Sequence, residues 1–281
     1  MQTVQDVSAL RAAIRGWRSK GETVGFVPTM GNLHEGHQSL IKLARARTER
    51  VIASVFVNPT QFGPNEDFER YPRTLLQDQG ALADQGCDLL FAPEVATIYP
   101  FGAENSVSLH VPQITEMLEG AHRPGHFDGV ATVVCKLFNL VQPDIAVFGQ
   151  KDFQQLKVIE RMVRDLSLPV KVMAAPTLRA DDGLALSSRN QYLSVEQRSR
   201  SVLIHDTLLK MRALFQKGHA WQALEQVAAS RLSRAGFEPD YAVIRRAEDL
   251  AEPSEGQQEG LIALIAARLG STRLIDNLMF D

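Results

Sequence analysis

Four short stretches of this sequence carry side chains able to handle a polyphosphate and a small polar acid. His34 and His37 stand three residues apart around Glu35 and Gly36, so in the first turn of a helix both imidazoles project from one face. Free backbone N–H groups and the positive end of the dipole also point outward there, and two ring N–H donors added to them suit the charge that builds on a leaving pyrophosphate. Gly31 and Gly36 lack a Cβ and let backbone approach a ligand closely. A structural histidine pair and a zinc site are the alternatives. Zinc needs a third ligand, which this segment lacks, and the metalloprotease pattern His-Glu-x-x-His is one residue longer. Lys151 begins a second helical pattern, against the preference of a helix dipole, and a bound anion such as a phosphate would explain a cation there. Asp152 beside it is a helix cap by default, and Gln155, four residues on, shares its face. Ser187, Ser188 and Arg189 form a compact donor cluster in which the guanidinium can grip phosphate bidentately, although a solvated loop reads the same way. Asn58 and Gln61 are neutral donors and acceptors suited to hydroxyl, carboxylate or amine groups, and Asn-Pro is equally an ordinary turn starter. Residues 123–129 (RPGHFDG) form a polar, glycine-bounded stretch that reads as a loop near such a site or as a plain loop.

Three of these stretches, 28–37, 58–62 and 149–155, follow apolar runs, and 186–190 lies between the expected domains. Residues 23–27, 51–57, 88–92, 144–148 and 170–174 are strand candidates, and residues 36–47 and 153–166 are helix candidates. Continuous apolar strands separated by helices predict a parallel sheet covered on both faces, an α/β doubly wound, Rossmann-like layer. In such sheets ligands sit beyond the carboxyl ends of the strands, where those three stretches fall. Past Pro176 the texture changes. One long helix is expected over residues 194–217 with Ser194 as its N-cap, then a helix over 219–234 and strands at 241–245, 261–267 and 272–275. The expected division is a first domain of residues 1–178 and a smaller α+β domain of residues 179–281.

Bulk properties remove other classes. The chain has 281 residues, 44% hydrophobic and 22% charged, enough for a sizeable core. A net charge of −3 and a pI near 6.2 provide no basic field for nucleic acid. Cys87 and Cys135 lie in apolar stretches and read as buried free thiols of a reducing compartment. No run of about 18 apolar residues and no signal-peptide apolar region occurs, so no membrane span is expected and the location expected is cytoplasmic. Neither a Gly-x4-Gly-Lys-Ser/Thr loop nor a Gly-x-Gly-x-x-Gly fingerprint is present.

His34-Glu35-Gly36-His37 and Leu186-Ser187-Ser188-Arg189-Asn190 resemble the two signatures of adenylate-forming nucleotidyltransferases. With residues 28–31, 56–62, 71–73 and 148–156 in between, the whole chain resembles the pantoate–β-alanine ligase family. The resemblance implies ATP-dependent joining of pantoate to β-alanine with Mg²⁺, through a pantoyl-adenylate, giving pantothenate, AMP and pyrophosphate. It implies an ATP site lined by Met30, Gly31, Asn32, Leu33, His34, Glu35, Gly36 and His37, by Gly149, Gln150, Lys151 and Asp152, and by Leu178, Leu186, Ser187, Ser188 and Arg189. His34, His37, Lys151 and Arg189 would be the catalytic groups. Gln61 would contact pantoate and β-alanine, Gln155 would contact pantoate, and Asn58 would add to the acid-binding end. The metal ligands stay unassigned. The resemblance further implies a C-terminal domain that acts as a lid and a homodimer made through the N-terminal domain. Leu186 stands where many relatives have Met, a volume-conserving exchange. The rivals are a transferase that stops at nucleotide transfer, such as a cytidylyltransferase, and a catalytically silent nucleotide-binding regulator.

Overall fold

A computed structural model describes residues 1–63 and 68–280. Six strands, β1 (Gln2–Val4), β2 (Val24–Thr29), β3 (Arg50–Val55), β4 (Leu89–Phe91), β5 (Ile145–Gly149) and β6 (Lys171–Ala175), pair in parallel in the order β1-β4-β3-β2-β5-β6. Around them run α1 (Val7–Arg18), α2 (Glu35–Arg45), α3 (Leu75–Asp84), α6 (His126–Val141) and α7 (Phe153–Asp165), with single turns α4 (Val95–Ile98) and α5 (Glu119–His122). Consecutive residues of the central strands are buried, Val51, Ile52 and Ala53 in β3 and Ala146, Val147 and Phe148 in β5. Burial on both strand faces is what helices on both sides of a parallel sheet demand.

The chain crosses from β2 to β3 on one side and later returns to place β5 on the other side of β2. A crevice at such a switch point, outside the carboxyl ends, is where doubly wound sheets bind ligands. Register puts Thr29 beside Val55, and Phe26 beside Ala146. Met30, Phe56 and Gln150 therefore leave neighbouring strands at one common edge. The opposite edge is closed by ions. Asp88 and Asp144, expected as strand residues, sit just before β4 and β5, and their carboxylates accept the Val51 and Val24 backbone N–H groups at 2.8 and 2.7 Å. Arg50 holds Glu22 through two bonds of 2.9 Å and Asp88 at 3.0 Å, and that bonding draws the Glu22 carboxyl below the usual carboxylate range.

The chain divides into two compact units, Met1–Gln150 with Gln155–Pro176, and Lys151–Gln154 with Thr177–Asp281. In the second, β7 (Glu238–Arg246), β8 (Leu261–Leu269) and β9 (Thr272–Met279) form an antiparallel sheet in that order. It packs with α9 (Leu203–Phe215) and α10 (Trp221–Arg234), which follow the short α8 (Val195–Ser201), over a core that includes Leu208, Met211, Leu232, Ile244 and Ile265.

Three expectations need correction. The single helix over residues 194–217 is two, α8 and α9, meeting at Val202. Residues 126–129 are the first turn of α6, begun after Gly125 reverses the chain at φ +80°. Cys135 is only partly buried, whereas Cys87 is fully so, and both are free; burial pushes the Cys87 thiol up to about 11. Among the described residues no helix is long and apolar enough to cross a membrane.

Candidate active site

The loop after β2 is set by backbone geometry that most side chains avoid. Gly31 has φ +82° and Asn32 φ +52°. A Cβ on Gly31 would lie 2.9 Å from Asp78 Oδ2 and 3.0 Å from Val55 Cγ1, so glycine is required on two counts. Asp78 of α3, only 2% exposed, pins the loop: its two oxygens accept the Asn32 and Leu33 backbone N–H groups at 3.1 and 2.9 Å, and Thr74 Oγ1 donates to one of them at 3.1 Å. Nothing local in the sequence marks Asp78, because those backbone partners lie 46 and 45 residues upstream.

The loop delivers His34 to the N-cap of α2. His34 Nδ1 accepts the Gly36 N–H at 3.1 Å, and His37 Nδ1 accepts the His34 N–H at 3.3 Å. This is a capping box built from two histidines, their ring centroids 4.1 Å apart. A ring nitrogen that accepts an N–H carries no proton of its own, so each neutral imidazole keeps its proton on Nε2. One feature thus does what the structural and the chemical readings of the pair each require: it caps the helix, and it fixes both rings as Nε2–H donors.

At the end of β3, Asn58 is 1% exposed and works inward. Its Nδ2 donates to Gln61 Oε1 at 3.2 Å and to the Gly129 carbonyl at 3.1 Å, and its Oδ1 accepts from Tyr99 Oη at 2.8 Å and Thr60 Oγ1 at 3.0 Å. Gln61 Nε2 in turn lies 2.9 Å from Met30 Sδ, which links the β2 and β3 ends. The backbone of Gln61 is held from α6 and the turn before it. Its carbonyl faces His126 Nδ1 at 2.8 Å and Arg123 Nη2 at 3.4 Å, while Arg123 Nη1 lies 3.1 Å from His126 Nε2. A carbonyl only accepts and a guanidinium only donates, so His126 is the Nδ1–H tautomer. Gly129 must be glycine here, since its Cβ would fall 2.3 Å from the Thr60 carbonyl oxygen. The stretch 123–129, ambiguous by sequence, is the support of Gln61.

Gly149 closes β5, and a Cβ placed there would meet nothing within 4 Å. Internal packing therefore does not call for a glycine. Lys151 lies in a 3-10 turn, Gln150–Asp152, ahead of α7 instead of in that helix's first turn. The helical four-residue relation to Gln155 does not hold, and the two fall in different compact units. Lys151 Nζ is 3.8 Å from Asp152.

In the second unit, residues 178–186 form a tight backbone turn: Leu186 N–H donates to the Leu178 carbonyl at 3.0 Å, and Ala180 N–H to that of Leu184 at 2.9 Å. Leu178 is thereby joined to the serine–arginine segment. Ser187 caps the short 3-10 helix Ser188–Tyr192 by accepting the Arg189 N–H at 3.3 Å, which directs the segment without using the Arg189 side chain. Arg179 and Arg198 nearby are committed to Asp276 and Asp182. Among the described residues no cluster of three or more His, Cys, Asp or Glu side chains could hold a metal ion.

A family model described as pantoate-beta-alanine ligase matches residues 2–279. The chain belongs to the pantoate–β-alanine ligase family. Its relatives include pantothenate synthetases of Stenotrophomonas maltophilia, 56% identical over 281 residues, and Xanthomonas oryzae pv. oryzae, 55% identical over 280, in each case covering all of both chains. Among solved structures it is similar to the pantothenate synthetase of Thermus thermophilus, with a TM-score of 0.93 at 48% identity over 100% of this chain and 99% of that one. It is also similar to the Francisella tularensis ligase, complexed with βγ-ATP and β-alanine, with a TM-score of 0.81 at 33% identity over 100% and 98%. The Rossmann-like parallel sheet with its smaller antiparallel unit is the fold of this ligase family.

Proposed function

We propose that the chain condenses pantoate with β-alanine at the expense of ATP, through a pantoyl-adenylate, releasing AMP and pyrophosphate. Family membership supports the overall reaction, and the reciprocal His34–His37 cap carries the reading of the chemistry. In the first step the pantoate carboxylate attacks the α-phosphorus in line and the bond to the β-phosphate oxygen breaks. Negative charge gathers on pyrophosphate as it leaves. His34 and His37 supply two preoriented Nε2–H donors to that charge, and Lys151 and Arg189 supply cations. This is electrostatic stabilisation by groups already in place, with little covalent work by the protein. Met30, Gly31, Asn32 and Leu33, with Glu35 and Gly36, line the nucleotide. Gly149, Gln150 and Asp152 approach it where Gly149 leaves room. Leu178 touches adenine through its backbone, and Leu186, Ser187 and Ser188 take the phosphates.

Gln61 contacts pantoate and β-alanine and Gln155 contacts pantoate. Asn58 contributes through Gln61, whose amide it orients. In the second step the neutral β-alanine amine attacks the acyl carbonyl, loses one proton and expels AMP. Mg²⁺ is part of the proposal only as the counter-ion of the triphosphate, held by phosphate oxygens and water as this cation prefers. The described residues form no cage for it, and no step is assigned to it. The active species is a cytoplasmic homodimer made through the first unit, and light scattering on the purified protein checks the dimeric state.

The deciding assay omits β-alanine. The enzyme should then exchange labelled pyrophosphate into ATP only when pantoate is present, and should release AMP with pantothenate once β-alanine is added. Formation of ADP would replace the adenylate route with a kinase-like one.

A further inference from the structure

Lys151 sits between β5 and α7 in the chain, yet it belongs to the second compact unit, and a side chain of that unit holds its backbone. Asn277 of β9 donates from Nδ2 to the Lys151 carbonyl at 2.8 Å. Asn277 is itself fixed by its neighbour. Asp276, 5% exposed, accepts the Asn277 backbone N–H at 2.8 Å and takes Arg179 bidentately, at 2.6 Å on Oδ2 and 2.9 Å on Oδ1. The same guanidinium donates to the Asn277 carbonyl at 3.3 Å and to the Gly183 carbonyl at 3.1 Å. Gly183 is the corner of the 178–186 turn, and a Cβ there would lie 2.6 Å from the His205 ring, so the corner calls for glycine. Asn190 Nδ2 extends the chain of contacts, donating to the Ala185 carbonyl at 3.0 Å.

We infer that Arg179, Asp276 and Asn277 are positioning residues for adenylation, one buried brace that holds Lys151 and residues 186–189 in a fixed mutual register. None of the three is assigned a contact with substrate. A pair this buried is a costly way to gain stability, since the desolvation it suffers rivals the attraction it gains. A bidentate geometry is instead suited to fixing direction. Supporting residues of this kind determine how well groups that meet a ligand are aimed. The inference rests on the proposed role of Lys151 at the phosphates.

The test separates the two half-reactions in the full-length enzyme. Asn277→Ala removes the tie to Lys151, and it should lower pantoate-dependent pyrophosphate–ATP exchange on the order of tenfold, the scale of one hydrogen bond. The reaction of supplied pantoyl-adenylate with β-alanine should change by less than about threefold. Asn277→Asp keeps the volume but cannot donate to the carbonyl when ionised, and should show the same split. Arg179→Lys loses the bidentate grip and both carbonyl contacts, and should lower exchange further. ATP affinities by calorimetry for wild type, Asn277→Ala, Lys151→Ala and the double variant complete a cycle, in which the second substitution should add nothing to Lys151→Ala. Wild-type exchange in both Asn277 variants, with Lys151→Ala defective, overturns the brace alone. Wild-type exchange in Lys151→Ala overturns the role of the lysine and the brace with it. Parallel loss of both half-reactions with a lowered melting temperature reduces the three residues to structural ones, which also overturns it.

Discussion

At the residue scale the histidine pair and one glycine carry the strongest consequences. His34 and His37 each spend Nδ1 on the backbone of α2, so each substitution has a structural and a chemical cost of different size. His34→Ala removes an N-cap, about 1 kcal/mol, which a thermal melt will register as a shift of a few degrees. Loss of one preorganised donor should cut adenylation by about 10²–10³, read by pyrophosphate exchange, and His37→Ala should behave alike. Near-normal exchange with a lowered melting temperature would leave only the cap. Gly149→Ala tests the opposite case. No internal atom contests its Cβ, so the melt should stay within about 0.5 kcal/mol of wild type, as for a surface exchange, while ATP affinity measured by calorimetry falls. Unchanged ATP affinity would remove Gly149 from the nucleotide site.

At the element scale, strands and helices with strong local patterns were legible and long-range pairings were not. The runs around Val27, Ile52 and Val147 announce strands because they are near-continuously apolar, the consequence of burial on both faces. The three-residue β1 offers too little pattern to read, and the helix break at Val202 has no Gly or Pro to signal it. The His34–His37 spacing was visible, but that the two Nδ1 atoms accept backbone protons follows only from the fold. Asp78 was invisible for a physical reason: a carboxylate on α3 has no sequence signature for loop N–H groups 45 and 46 residues away. Its role gives a prediction. Asp78→Asn keeps the shape but leaves one accepting oxygen where two N–H groups and a hydroxyl now converge. Losing a buried hydrogen bond to a charged group should destabilise by about 2 kcal/mol, measured by urea unfolding. Because the loop released is the one before His34, the apparent KM for ATP should rise as well. A stability loss with unchanged ATP kinetics would confine Asp78 to the fold.

At the scale of the whole molecule, function and architecture separate by edge of the parallel sheet. The amino-end carboxylates of Asp88 and Asp144 bind backbone N–H groups and arginines, while the carboxyl-end residues Met30, Asn58 and Gln61 organise one another toward the switch point. Two apolar clusters among the described residues also separate by sequence. The cluster around Leu208, Leu232 and Ile265 draws every member from beyond residue 177, and the cluster around Val27, Ile41 and Val147 draws every member from residues 1–176. Each of these clusters therefore closes within one stretch of the chain, and fragments of residues 1–176 and 177–281 should each unfold cooperatively in urea, as single domains of this size do. Neither should turn over ATP. The first keeps His34, His37 and Lys151 but lacks Ser187, Ser188, Arg189 and the Asn277 amide that holds the Lys151 carbonyl. Substituting Lys151 in fragment 1–176 should then be silent, although in the full chain it should abolish pyrophosphate exchange. Pantoate-dependent pyrophosphate exchange by fragment 1–176 alone would contradict the phosphate role of residues 186–189, because chemistry would proceed without them.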